Sequence, residues 1–249
     1  MKPTIVFLHG FTGSSASFLR LQNLLPEQKS VCPAVYGHFG CLQTKVPWSF
    51  ADEIQRLQQV VANDSDLSTP TVLCGYSLGG RLALGLALAR SARFRALVLI
   101  SSHAGLPEGQ EKQARRSQDE KLALLLEEHG LETFLDYWAD LPLFASQQKL
   151  GADILEAQAK IRVQHTAGGL AACLRFLGLG QMPDYRQRLK ELDMPVIVLT
   201  GEYDQKYVRF WSTYVSEFQN SQFHIFPKAG HNLILEQPRQ VARILEEIQ

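Results

Sequence analysis

Short apolar runs alternating with helical periodicities constrain this chain more than any other feature of its sequence. Residues 5–8 form a continuous apolar run closed by His9-Gly10. Residues 71–74, 96–100 and 196–199 repeat the pattern, each followed by Gly or Ser at a turn. Runs this short, with no polar alternation, read as strands buried on both faces. Residues 222–226 read as a final strand. Apolar residues at helical spacing occupy 50–61, 78–89, 208–218 and 238–248. Strands alternating with helices imply βαβ units, and so an α/β fold with a mostly parallel sheet flanked by helices.

One stretch departs from the alternation. Between about His103 and Leu192 no strand pattern occurs, and helical pattern covers 108–128, 131–139, 147–164, 170–177 and 185–192, punctuated by Gly130, Pro142, Gly168-Gly169 and Pro183. About ninety residues without structure do not fit inside a compact domain. The expected organisation is therefore a core of residues 1–102 and 193–249, with residues 103–192 as a helical lid inserted between two strands.

Within the core, Gly75-Tyr76-Ser77-Leu78-Gly79 follows one apolar run and opens the helix over 78–89. Strand, turn and helix in that order are what a G-x-S-x-G nucleophile elbow requires, and this context indicates an α/β-hydrolase fold. A serine hydroxyl is a weak nucleophile or base until a histidine takes its proton and a carboxylate orients that histidine. Asp204 follows the run at 196–199 and His231 follows the run ending at Phe226, so serine, acid and base come in the order this fold uses. Glu202 is a rival acid, but it directly follows its strand and reads better as a brace. Leu78, at the start of a helix, and Phe11, after His9-Gly10, can supply the two backbone N–H groups of an oxyanion hole. The His9 ring itself reads as structural.

Arg81 lies four residues beyond Ser77, one helical turn along the same face. A charged side chain so near a partly buried site calls for an anionic partner. Arg115, Arg116 and Arg162 in the lid segment are candidates to converge on the same place, with Trp138 and Phe144 as candidate walls.

Several stretches together resemble the 2-succinyl-6-hydroxy-2,4-cyclohexadiene-1-carboxylate synthase family. They are Gly75-Tyr76-Ser77-Leu78-Gly79-Gly80-Arg81, Gly105-Leu106 with Arg115 and Asp119, Trp138 with Leu141-Pro142-Leu143-Phe144-Ala145-Ser146, Arg162 with Gly169-Leu170-Ala171, Gly201-Glu202-Tyr203-Asp204-Gln205-Lys206-Tyr207, and Ala229-Gly230-His231-Asn232. The elbow and histidine motifs belong to the whole superfamily, whereas Arg81 beside the elbow and the Leu-Pro-Leu-Phe-Ala-Ser stretch are particular to this family. The resemblance implies a lyase of menaquinone and phylloquinone biosynthesis. It would eliminate pyruvate from 2-succinyl-5-enolpyruvyl-6-hydroxy-3-cyclohexene-1-carboxylate, a polycarboxylate, with Ser77 acting as a base rather than an acylated nucleophile. It also implies substrate-pocket roles for Tyr76, Arg81, Arg115, Trp138 and Arg162. The sequence departs from the wider pattern at Ala34-Val35-Tyr36-Gly37-His38-Phe39-Gly40, where an Asp-Leu-Pro-Gly-His-Gly-type turn is usual, and at Tyr203, where Arg is common. The first strand begins within a few residues of the start, so the sheet is expected to lack one or two leading strands of the larger fold.

Lys plus Arg equal Asp plus Glu at 25 each, so no global charge draws the chain to nucleic acid or an anionic membrane. The longest apolar stretches, 82–89 and 97–100, are far too short to span a bilayer. With no apparent room for a signal peptide before the first strand, a cytoplasmic setting is expected. The four cysteines show no metal-ligand spacing, and Cys74 and Cys173 read as buried hydrophobes. Neither metal nor cofactor is expected. The competing readings are a carboxylesterase, thioesterase or carbon–carbon hydrolase with the same triad, and a non-catalytic small-molecule receptor of the same fold. A dehalogenase is excluded, because that chemistry puts Asp where Ser77 stands.

Overall fold

The computed structural model describes residues 2–42, 48–63, 71–89 and 93–248. Among these residues six strands form one sheet: β1 (Thr4–Leu8), β2 (Ser30–Val31), β3 (Thr71–Tyr76), β4 (Phe94–Ile100), β5 (Val196–Gly201) and β6 (Ser221–Phe226), in the order β2-β1-β3-β4-β5-β6. All five pairings are parallel. Every residue of β1, β3 and β5 is buried, which is why these strands are continuous apolar runs in the sequence. The edge strand β6 is less buried than the others, and its Ile225 is exposed.

Both faces of the sheet are covered. On one side α2 (Phe50–Asn63) and α3 (Leu78–Ala89) pack on Val6, Leu73, Leu97 and Val198. Apart from Arg81, α3 is apolar around its circumference, and Leu82, Leu84 and Leu86 are fully buried, each worth about 1.5–3 kcal/mol of transfer free energy. The other face of the sheet carries α1 (Leu19–Leu24), α8 (Leu233–Glu236) and α9 (Pro238–Glu247), whose Val241, Ala242 and Leu245 lie on Ile5, Val72 and Ile197.

Every regular element between β4 and β5 is helical: α4 (Gln110–Ala139), a 3-10 turn at Pro142–Lys149, α5 (Ala152–Arg162), α6 (Ala167–Leu177) and a 3-10 turn at Arg186–Glu191. α4 joins the two helices expected over 108–128 and 131–139, kinked where Gly130 takes φ +82°. The single helix expected over 147–164 is two elements, because Leu150 and Gly151 are extended and break it. The stretch 185–192 is 3-10 rather than α. After β5, α7 runs Gln205–Tyr214, earlier than the expected 208–218, and continues as a 3-10 turn. α4 and α6 bury their own small core, with Ala123, Leu126 and Phe134 against Leu170, Ala171 and Leu174.

The strand order places the site. From β1 the chain goes to β2 on one side and then to β3 on the other, so a crevice opens at the carboxyl ends of β1 and β3. Open α/β sheets bind ligands at such a switch point. Phe11 follows β1 there and Ser77 follows β3.

Candidate active site

Ser77 sits on the turn between β3 and α3 with φ +51°, a left-handed conformation that costs a non-glycine residue energy and persists only when the surroundings impose it. The neighbouring backbone does so. A side chain on Gly75 would strike the Gly79 and Gly80 backbone, and one on Gly79 would strike the Leu8 and His9 carbonyls. The Ser77 N–H donates to the Ile100 carbonyl at 2.9 Å, pinning the turn to the adjacent strand. Leu78 opens α3, where the first N–H groups of a helix have no intrahelical acceptor.

The next two strand ends converge on this turn. Asp204 lies between β5 and α7, and His231 lies in the loop between β6 and α8. The two loops are stitched together: the Tyr203 N–H donates to the Ala229 carbonyl at 2.8 Å, and the Lys228 N–H donates to Glu202 Oε2 at 2.8 Å. Glu202 thus braces the loop and Asp204 faces the histidine. His231 Nδ1 is 2.6 Å from Asp204 Oδ2, and His231 Nε2 is 3.0 Å from Ser77 Oγ. Asp204 accepts, so Nδ1 carries the proton and Nε2 is left to accept from the serine. The acid and the histidine are both buried. Glu236, which the sequence did not single out, takes the Gly230 and Asn232 N–H groups at 2.7 and 3.1 Å and so holds both neighbours of His231.

Ser77 and His231 open into a cavity of about 300 Å³ that is also lined by Phe11, Tyr76, Leu78, Arg81, Arg115, Trp138, Phe144, Lys206 and Tyr207. The Trp138 ring lies 5.2 Å from Phe11 and 5.6 Å from Phe144, and its Nε1 is buried with no partner among the described residues. Burial pushes the Tyr76 and Tyr207 phenols above their ordinary value, with Asp204 adding to it, so both stay protonated as donors.

Three cations, Arg81, Arg115 and Lys206, line the cavity together with the carboxylate of Asp119. Arg81 is buried and its Nη1 donates to the Leu177 carbonyl at 2.8 Å, with no carboxylate ion pair among the described residues. Burial, and then Arg115, bring its pKa down to about 10. Arg115 is paired with Asp119 at 2.8 Å. Lys206 is held below its ordinary value by burial and by Arg115. The sequence motif contains Lys206 and Tyr207, and the pattern by itself assigns them no role. Their place, in the first turn of α7 directly after Asp204, is the signal that could have marked them.

Arg162 lies elsewhere. It lines a neighbouring cavity with Gly10, Thr12 and Asn232, and an outer one of about 650 Å³ bounded by α4, the 142–149 turn and α5. Its guanidinium stands 5.8 Å from the Phe144 ring, so Phe144 and Tyr76 separate it from the Ser77 cavity. Arg116 also points away and donates to the Gly180 carbonyl. The outer cavity is larger, but among its lining residues there is neither a serine nucleophile nor a histidine paired with a carboxylate.

Comparison with known proteins adds identity to this geometry. Residues 5–244 match the profile of the alpha/beta hydrolase family. A Bacillus subtilis (strain 168) protein, provisionally named 2-succinyl-6-hydroxy-2,4-cyclohexadiene-1-carboxylate synthase, is 36% identical over 248 residues, 98% of this chain and 89% of that protein. An Enterobacter sp. (strain 638) protein of that name is 32% identical, over 99% of this chain and 91% of its own. The solved structure of MenH from S. aureus superposes with a TM-score of 0.93 at 29% identity, over all of this chain and 93% of that one. A thermophilic esterase from Thermogutta terrifontis, solved with malate bound, reaches 0.84 at 22% identity over 98% and 88%, a likeness of fold alone.

Proposed function

This chain belongs to the alpha/beta hydrolase family and, within it, to the 2-succinyl-6-hydroxy-2,4-cyclohexadiene-1-carboxylate synthases, and on that premise we propose how its residues carry the reaction. The chain is a lyase that eliminates pyruvate from 2-succinyl-5-enolpyruvyl-6-hydroxy-3-cyclohexene-1-carboxylate. The observation that supports this most is a serine–histidine–carboxylate chain opening onto a wall of Arg81, Arg115 and Lys206 with Asp119 as partner to one of them. Buried cations without counter-charges are costly, and a ligand with several carboxylates supplies what is missing. A neutral ester would leave the cost standing.

Converting a 3-ene with a leaving group on C5 into a 2,4-diene removes the proton from C2 and breaks the C5–O bond. C2 carries the succinyl ketone, so its anion is an enolate. Ser77 Oγ takes that proton as its own passes to His231 Nε2, and Asp204 stabilises the imidazolium that forms. The enolate oxygen is met by the Phe11 and Leu78 N–H groups. The electron pair then moves through the ring, the C5–O bond breaks, and pyruvate leaves as its enolate to be protonated. Arg81 and Arg115 hold carboxylates, while Tyr76 and Trp138 offer donors beside the ring. Arg162 joins them only if Phe144 turns aside, a movement suited to residues 103–192 acting as a lid over the core of 1–102 and 193–249.

A cytoplasmic setting agrees with four free cysteines. No helix among the described residues is long and apolar enough to cross a membrane. The test is pyruvate release from the enolpyruvyl substrate in a coupled assay. Ser77→Ala is expected to lower kcat about a thousandfold or more. Rapid hydrolysis of nitrophenyl esters with no release of pyruvate would sink the reading.

A further inference from the structure

Behind the Ser77 cavity three histidines from distant parts of the chain stack edge to face. The His9 and His38 rings are 4.8 Å apart, and those of His38 and His165 are 5.1 Å apart. Each accepts a backbone N–H through one ring nitrogen: Val35 to His9 Nε2, Thr12 to His38 Nε2 and Phe39 to His165 Nδ1, at 3.0–3.1 Å. His38 is the central member and is fully buried. Its Nδ1 faces the Tyr36 carbonyl at 3.2 Å, which can only accept, so Nδ1 carries the proton and Nε2 is a pure acceptor. Burial, aided by His9 and His165, keeps the ring neutral by holding its pKa well below the ordinary value.

The group His38 holds is informative. Thr12 has φ +64°, a conformation disfavoured for any residue with a Cβ and worse for a β-branched one. Such backbone persists only where surrounding contacts impose it, and it clusters at active sites. Here the imposing contacts are the Gly13 N–H to Gly10 carbonyl bond at 3.0 Å, the His38 bond to the Thr12 N–H, and the His38 ring edge against Phe11 at 5.7 Å. The same loop is docked through Phe39 to His165, at the junction of α5 and α6.

We propose that His38 is a positioning residue for the oxyanion turn: by accepting the Thr12 N–H it holds the left-handed backbone that sets the Phe11 N–H at the cavity. The inference rests on the reading above in which Phe11 is an oxyanion donor. The departure of residues 34–40 from the usual turn leaves the histidine acceptor in place. Losing an oxyanion donor outright costs about 10²–10³ in rate, so loosening one is expected to cost about 10–100-fold.

Two substitutions that add no bulk separate the role from packing. The Oε1 of His38→Gln reaches the place of Nε2, whereas the shorter His38→Asn does not. kcat and KM for pyruvate release are measured beside the rate at which a fluorophosphonate labels Ser77, read by intact mass, and beside melting curves. The labelling reads the oxyanion turn whatever the natural substrate. His38→Asn is expected to lower kcat and labelling rate about 10–100-fold with KM within threefold, and His38→Gln to return both to within about threefold of wild type. Equal losses in the two variants, or no loss in either, would overturn the proposal. If His38→Asn does not fold, a folded His38→Gln with kcat or labelling down more than tenfold overturns it, and one within threefold supports it. Labelling that depends on His38 in a protein releasing no pyruvate would leave the positioning role standing and remove the lyase reading.

Discussion

Replacing Arg81 by methionine perturbs the empty protein and the loaded one in opposite directions. Without substrate the guanidinium is buried, lies near Arg115 and holds a single carbonyl, and its pKa falls from the ordinary arginine value to about 10. At 1.36 kcal/mol for each tenfold change, the charged form is destabilised there by about 3 kcal/mol. The sign follows from linkage. A basic group whose pKa is lowered by folding opposes folding wherever it is charged, which here means at all pH values below about 10. Methionine keeps the apolar stem but not the reach of the guanidinium, removes the charge and orphans the Leu177 carbonyl at a cost of about 1 kcal/mol. The net expectation is a gain of about 2 kcal/mol, or a Tm higher by roughly 4–8 °C for a chain of this size. With substrate present the balance reverses. A buried, charge-assisted contact to a carboxylate is worth about 2–4 kcal/mol, so kcat/KM for pyruvate release is expected to fall about 30- to 1,000-fold. Calorimetry without substrate and the coupled assay with it read the two sides. A variant that melts below wild type, or that keeps kcat/KM within threefold, would refute the argument that Arg81 waits for an anion.

Asp204→Asn is expected to lower kcat about 10³–10⁴-fold with little change in KM, because the amide no longer holds the proton on His231 Nδ1; full kinetics with the coupled assay check this. Gly79→Ala would put a methyl group against the Leu8 carbonyl and is expected to abolish soluble folded protein, seen by circular dichroism and gel filtration, whereas a folded active variant would contradict the elbow geometry. Lys206, its pKa lowered by burial and Arg115, loses its charge at a lower pH than a free lysine. KM is therefore expected to climb as pH rises on the alkaline side, and Lys206→Arg to delay that climb.

The elements legible from sequence were those whose cause is local. β1, β3 and β5 are buried on both faces, so their residues had to be apolar without interruption. The elbow is a turn that only glycine two residues either side of Ser77 can make, so it too is written in the chain. Short helices carry too little periodicity to stand out, and α1 and α8 were not anticipated. The break where Leu150 and Gly151 are extended lies inside an otherwise helical pattern, which does not show it.

For the site, the order and strand-end positions of Ser77, Asp204 and His231 were enough to nominate them, because in a parallel sheet all strand ends meet along one edge. Distances are another matter. That His231 stands 3.0 Å from Ser77 and 2.6 Å from Asp204 follows from which strands are neighbours. Tertiary packing alone decided that Arg81 and Arg115 share a wall with Lys206 while Arg162 lies behind Phe144, because long side chains from separate helices meet or miss through the docking of those helices. It also decided that Thr12, His38 and His165 form one joint, since hydrogen bonds between residues 26 and 126 positions apart leave no trace in local pattern. The sequence by itself determined the sheet, the elbow and the order of the candidate residues, each set by near neighbours along the chain. The charge of the cavity and the support of its oxyanion turn arise from contacts that exist only once the chain is folded.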